Sequence, residues 1–282
     1  MTDWKSALGS FGVWESGRTF DPALAPELER LGYGALWLGG APGDLEVVEQ
    51  ILDSTSRLVV ATGIVSILTV QPRTLAESYH RVVEAHPGRL LLGIGVGHPE
   101  RAPGAEWKPF TALNAFLDGL DAGGVPAAER ALAALGPRVL KLSGERSAGA
   151  HPYLVTPEHT REARAILGDA PLLAPEQRVV LRTDPREVRA IGRPTVAVPY
   201  LGLRNYRESL TRLGYTEEDF ANDGSDRLID ELVVSGDPDE AVAGLRRHHE
   251  AGADHVAVHL IPGPGDDLLE GYAAIARAAG LH

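Results

Sequence analysis

His98 closes the run Gly93-Ile94-Gly95-Val96-Gly97-His98, and an imidazole gains and loses a proton near neutral pH. His98 is therefore the leading candidate for acid–base work. His151 and Tyr153, in Gly149-Ala150-His151-Pro152-Tyr153, are the reserves. Around them stand residues suited to holding a flat ring or an anion. Trp14, Gly40, Gly63, Ile64, Gly95 and Gly97 each fall at the end of an apolar run, and glycine lets a ring or phosphate come close to backbone. The turn Gly136-Pro137-Arg138 opens a helical pattern. Free N–H groups and the helix dipole favour an anion there, although Pro137 removes one donor.

Other chemistries are absent. The glycines at 93, 95 and 97 lack dinucleotide-fingerprint spacing, and no helical pattern starts directly after them. No Gly-x-Ser-x-Gly elbow occurs. The chain has no cysteine, which excludes a thiol nucleophile, thiolate zinc and a disulfide framework.

These residues are positioned by short apolar strands that alternate with amphipathic helical patterns along all 282 residues. Strands are expected at 11–14, 35–38, 58–61, 89–96, 130–135, 151–155, 178–182 and 255–260. Asp21-Pro22, Thr156-Pro157, Asp184-Pro185 and Asp237-Pro238 read as helix cap plus first helical residue, and Thr74-Leu75-Ala76-Glu77 as a capping box. Eight alternations favour a single (β/α)8 TIM barrel over residues 1–282, with an open doubly wound sheet as the rival. In a barrel the active site lies at the C-terminal strand ends, where the candidate residues fall.

A formal charge of −12 repels polyphosphate backbones, so no nucleic-acid partner is expected. The longest nearly apolar run, 58–70, is short of the ~20 residues a membrane span needs, and residues 1–5 lack a signal-peptide pattern. A cytoplasmic protein acting on a small molecule is expected. His255 and His259 lie two turns of alternation apart on one strand face, but metal-dependent barrel hydrolases carry His-x-His on strand one. Here that strand reads Phe11-Gly12-Val13-Trp14, so no metal is expected.

Whole motifs carry a further signal. Residues 87–98, Leu132-Ala133-Ala134-Leu135-Gly136-Pro137, residues 149–160, Gly224-Ser225-Asp226-Arg227-Leu228 and residues 251–256 resemble the luciferase-like monooxygenase superfamily, in its actinobacterial branch of coenzyme F420-dependent oxidoreductases. The resemblance spans almost the whole chain. It implies a (β/α)8 barrel with a deazaflavin or flavin in the mouth. Behind the ring it implies a backbone bend after strand three, often a non-proline cis peptide, which maps to Gly63-Ile64. It places the cofactor phosphate at Gly136, Pro137 and Arg138, and it implies a homodimer. Where well-known deazaflavin dehydrogenases carry an Asp-His pair and a glutamate, this chain has Gly40-Ala41 and His98, so sugar-phosphate oxidation is not implied. His259 stands where the resemblance leads one to expect a glutamine. The resulting expectation is an F420-dependent oxidoreductase moving a hydride to or from a small organic substrate. An FMN-dependent monooxygenase and a non-catalytic deazaflavin-binding barrel are the alternatives.

Overall fold

The computed structural model describes residues 2–97 and 108–282. His98 therefore lies outside the described residues. The strands are β1 (Phe11–Ser16), β2 (Ala35–Gly39), β3 (Val59–Thr62), β4 (Val65–Ser66), β5 (Leu90–Gly95), β6 (Arg130–Leu132), β7 (Gly149–Ala150), β8 (Leu172–Leu173), β9 (Glu176–Val180), β10 (Val233–Ser235) and β11 (Val256–Leu260). Every pairing among them is parallel. The order runs β11-β1-β2-β3-β5-β6-β7-β8, with β9 beside β11. Because 172–180 is one extended segment, its first half joins β7 and its second half joins β11, which closes the ring. β3 and β4 are likewise one strand bent at Gly63-Ile64, and short β10 lies along β9. This is a (β/α)8 TIM barrel.

Alternation sorts the strand residues. Val13, Leu36, Leu38, Val60, Leu92 and Val258 face the helices and form the main core, as expected for parallel strands covered outside. The inward set is unusual in size. Trp37 fills the centre, and Ala35, Ala61, Ala131, Ala174 and Ala257 leave it room. Its ring stacks on that of His151 at 4.0 Å, and its Nε1–H donates to His255 Nε2 at 3.0 Å. That donation fixes the His255 proton on Nδ1, which donates to the Gly9 carbonyl. Burial holds the His255 pKa at about 3, so the ring is neutral.

Local signals placed most helix starts. Asp21, Thr156 and Asp184 each accept a backbone N–H of their own first turn, and Asp237 with Glu240 forms a full capping box. The box expected at Thr74 does not form. That helix, Pro72–Ala85, begins three residues earlier because Pro72 supplies a better first position after Gln71.

Three strand readings need correction. Strand five ends at Leu132 rather than 135. Strand six is Gly149–Ala150, so His151 follows it instead of beginning it. Strand seven starts at Leu172 rather than Arg178. Pro171 and Pro175 flank its first half. The Pro175 carbonyl accepts from Ala257 N at 2.9 Å, while its missing N–H breaks no pairing that the flanking Ala174 and Glu176 amides do not supply.

Gly93, on β5, sits with its absent Cβ only 1.7 Å from the Thr62 carbonyl oxygen, and Thr62 Oγ1 donates to the Gly93 carbonyl. Gly93→Ala must therefore part β3 from β5. Urea denaturation is expected to show a loss of about 3 kcal/mol, at the upper end of overpacking. Gly136→Ala, where a Cβ meets nothing within 4 Å, is the control and is expected to leave the midpoint within error.

Candidate functional site

Several of the sequence candidates converge at the C-terminal mouth. A Cβ on Gly63 would lie 2.9 Å from Trp14 Nε1 and 3.0 Å from His151 Nε2, so these two ring nitrogens close on the backbone bend after β3. The Gly63-Ile64 peptide is cis, as the resemblance implied. The Ile64 side chain reaches Gly95 on β5, and Gly97 lies against Ser66. Gly40, with φ of +64°, turns the chain at the end of β2 near Arg18. One wall of the mouth is thus largely backbone.

The opposite wall is rings and charge. Trp14 packs 4.9 Å from the Tyr153 ring and 4.3 Å from that of His259. His151 Nδ1 donates to the Ala174 carbonyl, which leaves Nε2 as a lone pair. Burial, opposed by that bond and by Glu176, brings the His151 pKa down to about 4, so the ring is a neutral acceptor. Neither His151 Nε2 nor Trp14 Nε1–H has a hydrogen-bond partner among the described residues. One buried acceptor and one buried donor thus face the Gly63 backbone unpartnered among the described residues.

Behind the rings lies a group of buried charges that the sequence reading passed over. Glu176 is 0% exposed and Arg178 2% exposed, both turned inward from β9. Glu176 takes a hydrogen bond from His259 Nδ1 at 2.8 Å and another from the Leu154 amide at 2.8 Å. Burial raises the carboxyl pKa, but the His259 bond, the Arg178 charge and the Leu154 amide outweigh it and hold it below its ordinary value. Arg178 donates to the Thr195 carbonyl at 2.6 Å and to Tyr153 Oη at 3.0 Å, with its guanidinium between the Tyr153 and Tyr200 rings. Burial and the nearby carboxylate keep the Tyr153 phenol well above its ordinary pKa, although Arg178 pulls the other way, so Tyr153 stays protonated. The alternation Glu176, Arg178 on a strand that ends Val179-Val180 was the available signal. Starting that strand at Arg178 hid it.

Gly136 is the N-cap of the helix Pro137–Arg146, with no side chain closing that end. Arg138 is exposed, and its guanidinium lies 3.7 Å from the Phe110 ring centroid. Stacking uses the guanidinium face and leaves its in-plane N–H groups available to an anion. The preceding Leu135 carbonyl is held by His159 Nε2 at 2.9 Å and by Arg212 at 3.0 Å. Arg212 is a second cation at this turn that spacing did not reveal, because 77 residues separate the pair. Both Leu135 and Tyr153 pack on the same apolar cluster, which includes Leu154, Leu201 and Tyr206.

A family model for luciferase-like monooxygenases matches residues 21–109. That stretch is luciferase-like. It contains β2 to β5, and with them the Gly63-Ile64 bend. Over nearly the whole chain the fold is similar to that of solved structures. An F420-dependent secondary alcohol dehydrogenase, solved with an F420-acetone adduct, superposes with TM-score 0.71 at 14% identity, covering 96% of this chain and 98% of that one. The coenzyme F420-dependent tetrahydromethanopterin reductase of Methanopyrus kandleri gives 0.67 at 18% identity, over 95% and 97%. The oxygenating constituent of 3,6-diketocamphane monooxygenase from Pseudomonas putida, in complex with FMN, gives 0.70 at 13% identity, over 96% and 97%. No curated protein sequence matches the chain. Among the described residues no helix is long and apolar enough to cross a membrane, and no cluster of three or more His, Asp or Glu is arranged to hold a metal.

Glu15, beside Trp14 on β1, turns outward and accepts from Tyr272 Oη at 2.7 Å. Burial raises its pKa to about 7, against a weaker lowering by that bond. The folded state thus holds a proton the unfolded chain releases near pH 4.5. This stabilisation is complete below that pH and disappears as pH rises through 7, by up to about 3 kcal/mol. Urea midpoints measured from pH 5 to pH 8 are expected to fall. In Glu15→Gln this part of the slope is expected to vanish.

Proposed function

We propose that the chain is an oxidoreductase that binds coenzyme F420 at the barrel mouth and moves a hydride between that deazaflavin and a small organic substrate. The observation that carries this reading is the glycine-lined bend after β3: Trp14 and His151 close on the Gly63-Ile64 backbone, and their buried ring nitrogens lack partners among the described residues. Polar ring edges set against bare backbone suit the neighbourhood of a flat heteroaromatic ring. Gly136, Pro137 and Arg138, at an uncapped helix start on the same rim, would hold the cofactor phosphate, with Arg212 beside them.

When bound, the deazaflavin supplies two-electron hydride chemistry. The protein's part is to orient the ring, exclude water and handle the accompanying proton. His98, Tyr153 and His151 are the residues proposed for that proton from sequence. Of these, His151 is held neutral and Tyr153 protonated, as described above. FMN, which shares a tricyclic ring and a phosphate, is the second reading, and the FMN-bound neighbour favours it. A barrel that binds the deazaflavin without turning it over is tested by the same titration followed by reduction.

Fluorescence titration with F420 and with FMN is the direct test. F420 is expected to bind the more tightly, and the bound ring is expected to be reducible by an added hydride donor. Arg138→Ala is expected to weaken binding by about 1.5–3 kcal/mol, the loss of a charge-assisted hydrogen bond. Added salt is expected to weaken it only modestly. Binding of neither cofactor removes the reading, and equal affinity in wild type and Arg138→Ala removes Arg138 from the site.

A further inference from the structure

The Glu176–His259 pair is built like an oriented base, and neither residue was assigned a role above. A buried carboxylate can only accept, so the 2.8 Å contact with Glu176 places the His259 proton on Nδ1 and the lone pair on Nε2. No hydrogen bond reaches Nε2 among the described residues. The imidazole keeps 16% exposure at the end of β11, whereas its partner has none. The ring cannot swing freely, because Trp14 lies 4.3 Å from it at 40°. The charged and titratable groups around it are Glu176 and Arg178 from β9 and Tyr153 after β7, with Tyr200 beyond Tyr153. Arg178 and the Leu154 amide stabilise the Glu176 anion, so that the carboxylate does not take the imidazole proton for itself.

Resting on the reading as a hydride-transfer enzyme, we propose that His259 Nε2 is the proton-transfer atom of the mouth, that Glu176 is its positioning residue, and that the substrate carries a hydroxyl or carbonyl on the carbon that exchanges hydride. In the oxidative direction the substrate C–H bond would break with its electron pair, which a bound oxidised deazaflavin would accept as hydride. The O–H bond breaks, its proton forms an N–H bond at Nε2, and the C–O bond becomes double. The resulting imidazolium is stabilised by the adjacent carboxylate. Reduction of a carbonyl runs the same steps in reverse. Glu176 thus does for His259 what an orienting acid does in other histidine-based sites: it sets the tautomer and then balances the charge.

The proton site can be read without knowing the substrate. In protein labelled with 15N-histidine, His259 is expected to show the Nδ1–H tautomer, with Nε2 titrating. Burial places its midpoint below that of an ordinary histidine, while Glu176 opposes the shift. Glu176→Gln is expected to lower the midpoint by about one pH unit or more, and Glu176→Asp to restore most of it. Adding F420 is expected to shift the Nε2 signal and to slow modification of His259 by diethylpyrocarbonate at least fivefold, read by peptide mass spectrometry. An Nε2–H tautomer in the wild type overturns the proposal, and that measurement needs no variant. If F420 or FMN binds, by fluorescence, and His259 neither shifts nor is protected, the proposal fails while the functional reading stands. If neither cofactor binds, both fail.

Discussion

A fully buried carboxylate sets the terms for one half of this barrel. An ionised group inside a protein is tolerated only when its lone pairs are satisfied and a countercharge is near. Glu176 meets that condition through elements that are far apart in sequence: His259 on the last strand, the Leu154 amide after strand six, and Arg178 two residues along its own strand. Leu154 has a φ of +54°, a left-handed conformation that L-residues seldom adopt, and it turns its N–H onto Glu176. Arg178 in turn draws in Tyr153, the Thr195 carbonyl and the Tyr200 ring. The segment after strand seven, whose Leu201, Leu203, Tyr206 and Leu210 pack beside Leu154, is seated on that scaffold.

The other half is governed by volume. Trp37 occupies the barrel axis only because Ala61, Ala131, Ala174 and Ala257 on other segments leave it room, and its stacking fixes His151 beneath the mouth. Trp14 is then the large ring above, with Gly63 the place where neither ring leaves space for a side chain. A wall of backbone on one side and of rings on the other follows from this packing. The Gly136 helix start follows β6 on the same C-terminal rim.

These two halves explain the division of labour suggested for the site. The backbone wall of Gly63, Ile64 and Gly95, proposed to hold a ligand, carries no titratable side chain. The ringed wall carries several buried titratable groups, and burial keeps His151 and His255 neutral. His259 differs from both in having a carboxylate partner and some exposure. Holding and proton handling are thus separated in space across one mouth.

Much was legible in the sequence. The period-two apolar runs and the Asp-Pro and Thr-Pro helix starts are local signals, so the barrel, most helix starts and the placing of Trp14, Gly63 and Gly136 could be read directly. The bend at Gly63-Ile64 was legible through resemblance. Strand seven was started too late because the pairing that carries it from Leu172 through Pro175 belongs to the neighbouring strands. Glu176, Arg178 and His259 were not assembled beforehand for the same reason. Nothing in the spacing of residues 176 and 259 shows that the two face each other, and Arg212 gives no local hint that it braces the turn at Leu135. The sequence by itself determined the periodicity, the caps and the small-residue strand ends, because these depend on neighbours within a few positions. Closure of the ring decided which inward side chains meet, because contact across a barrel is set by strand register and shear, which no single strand encodes.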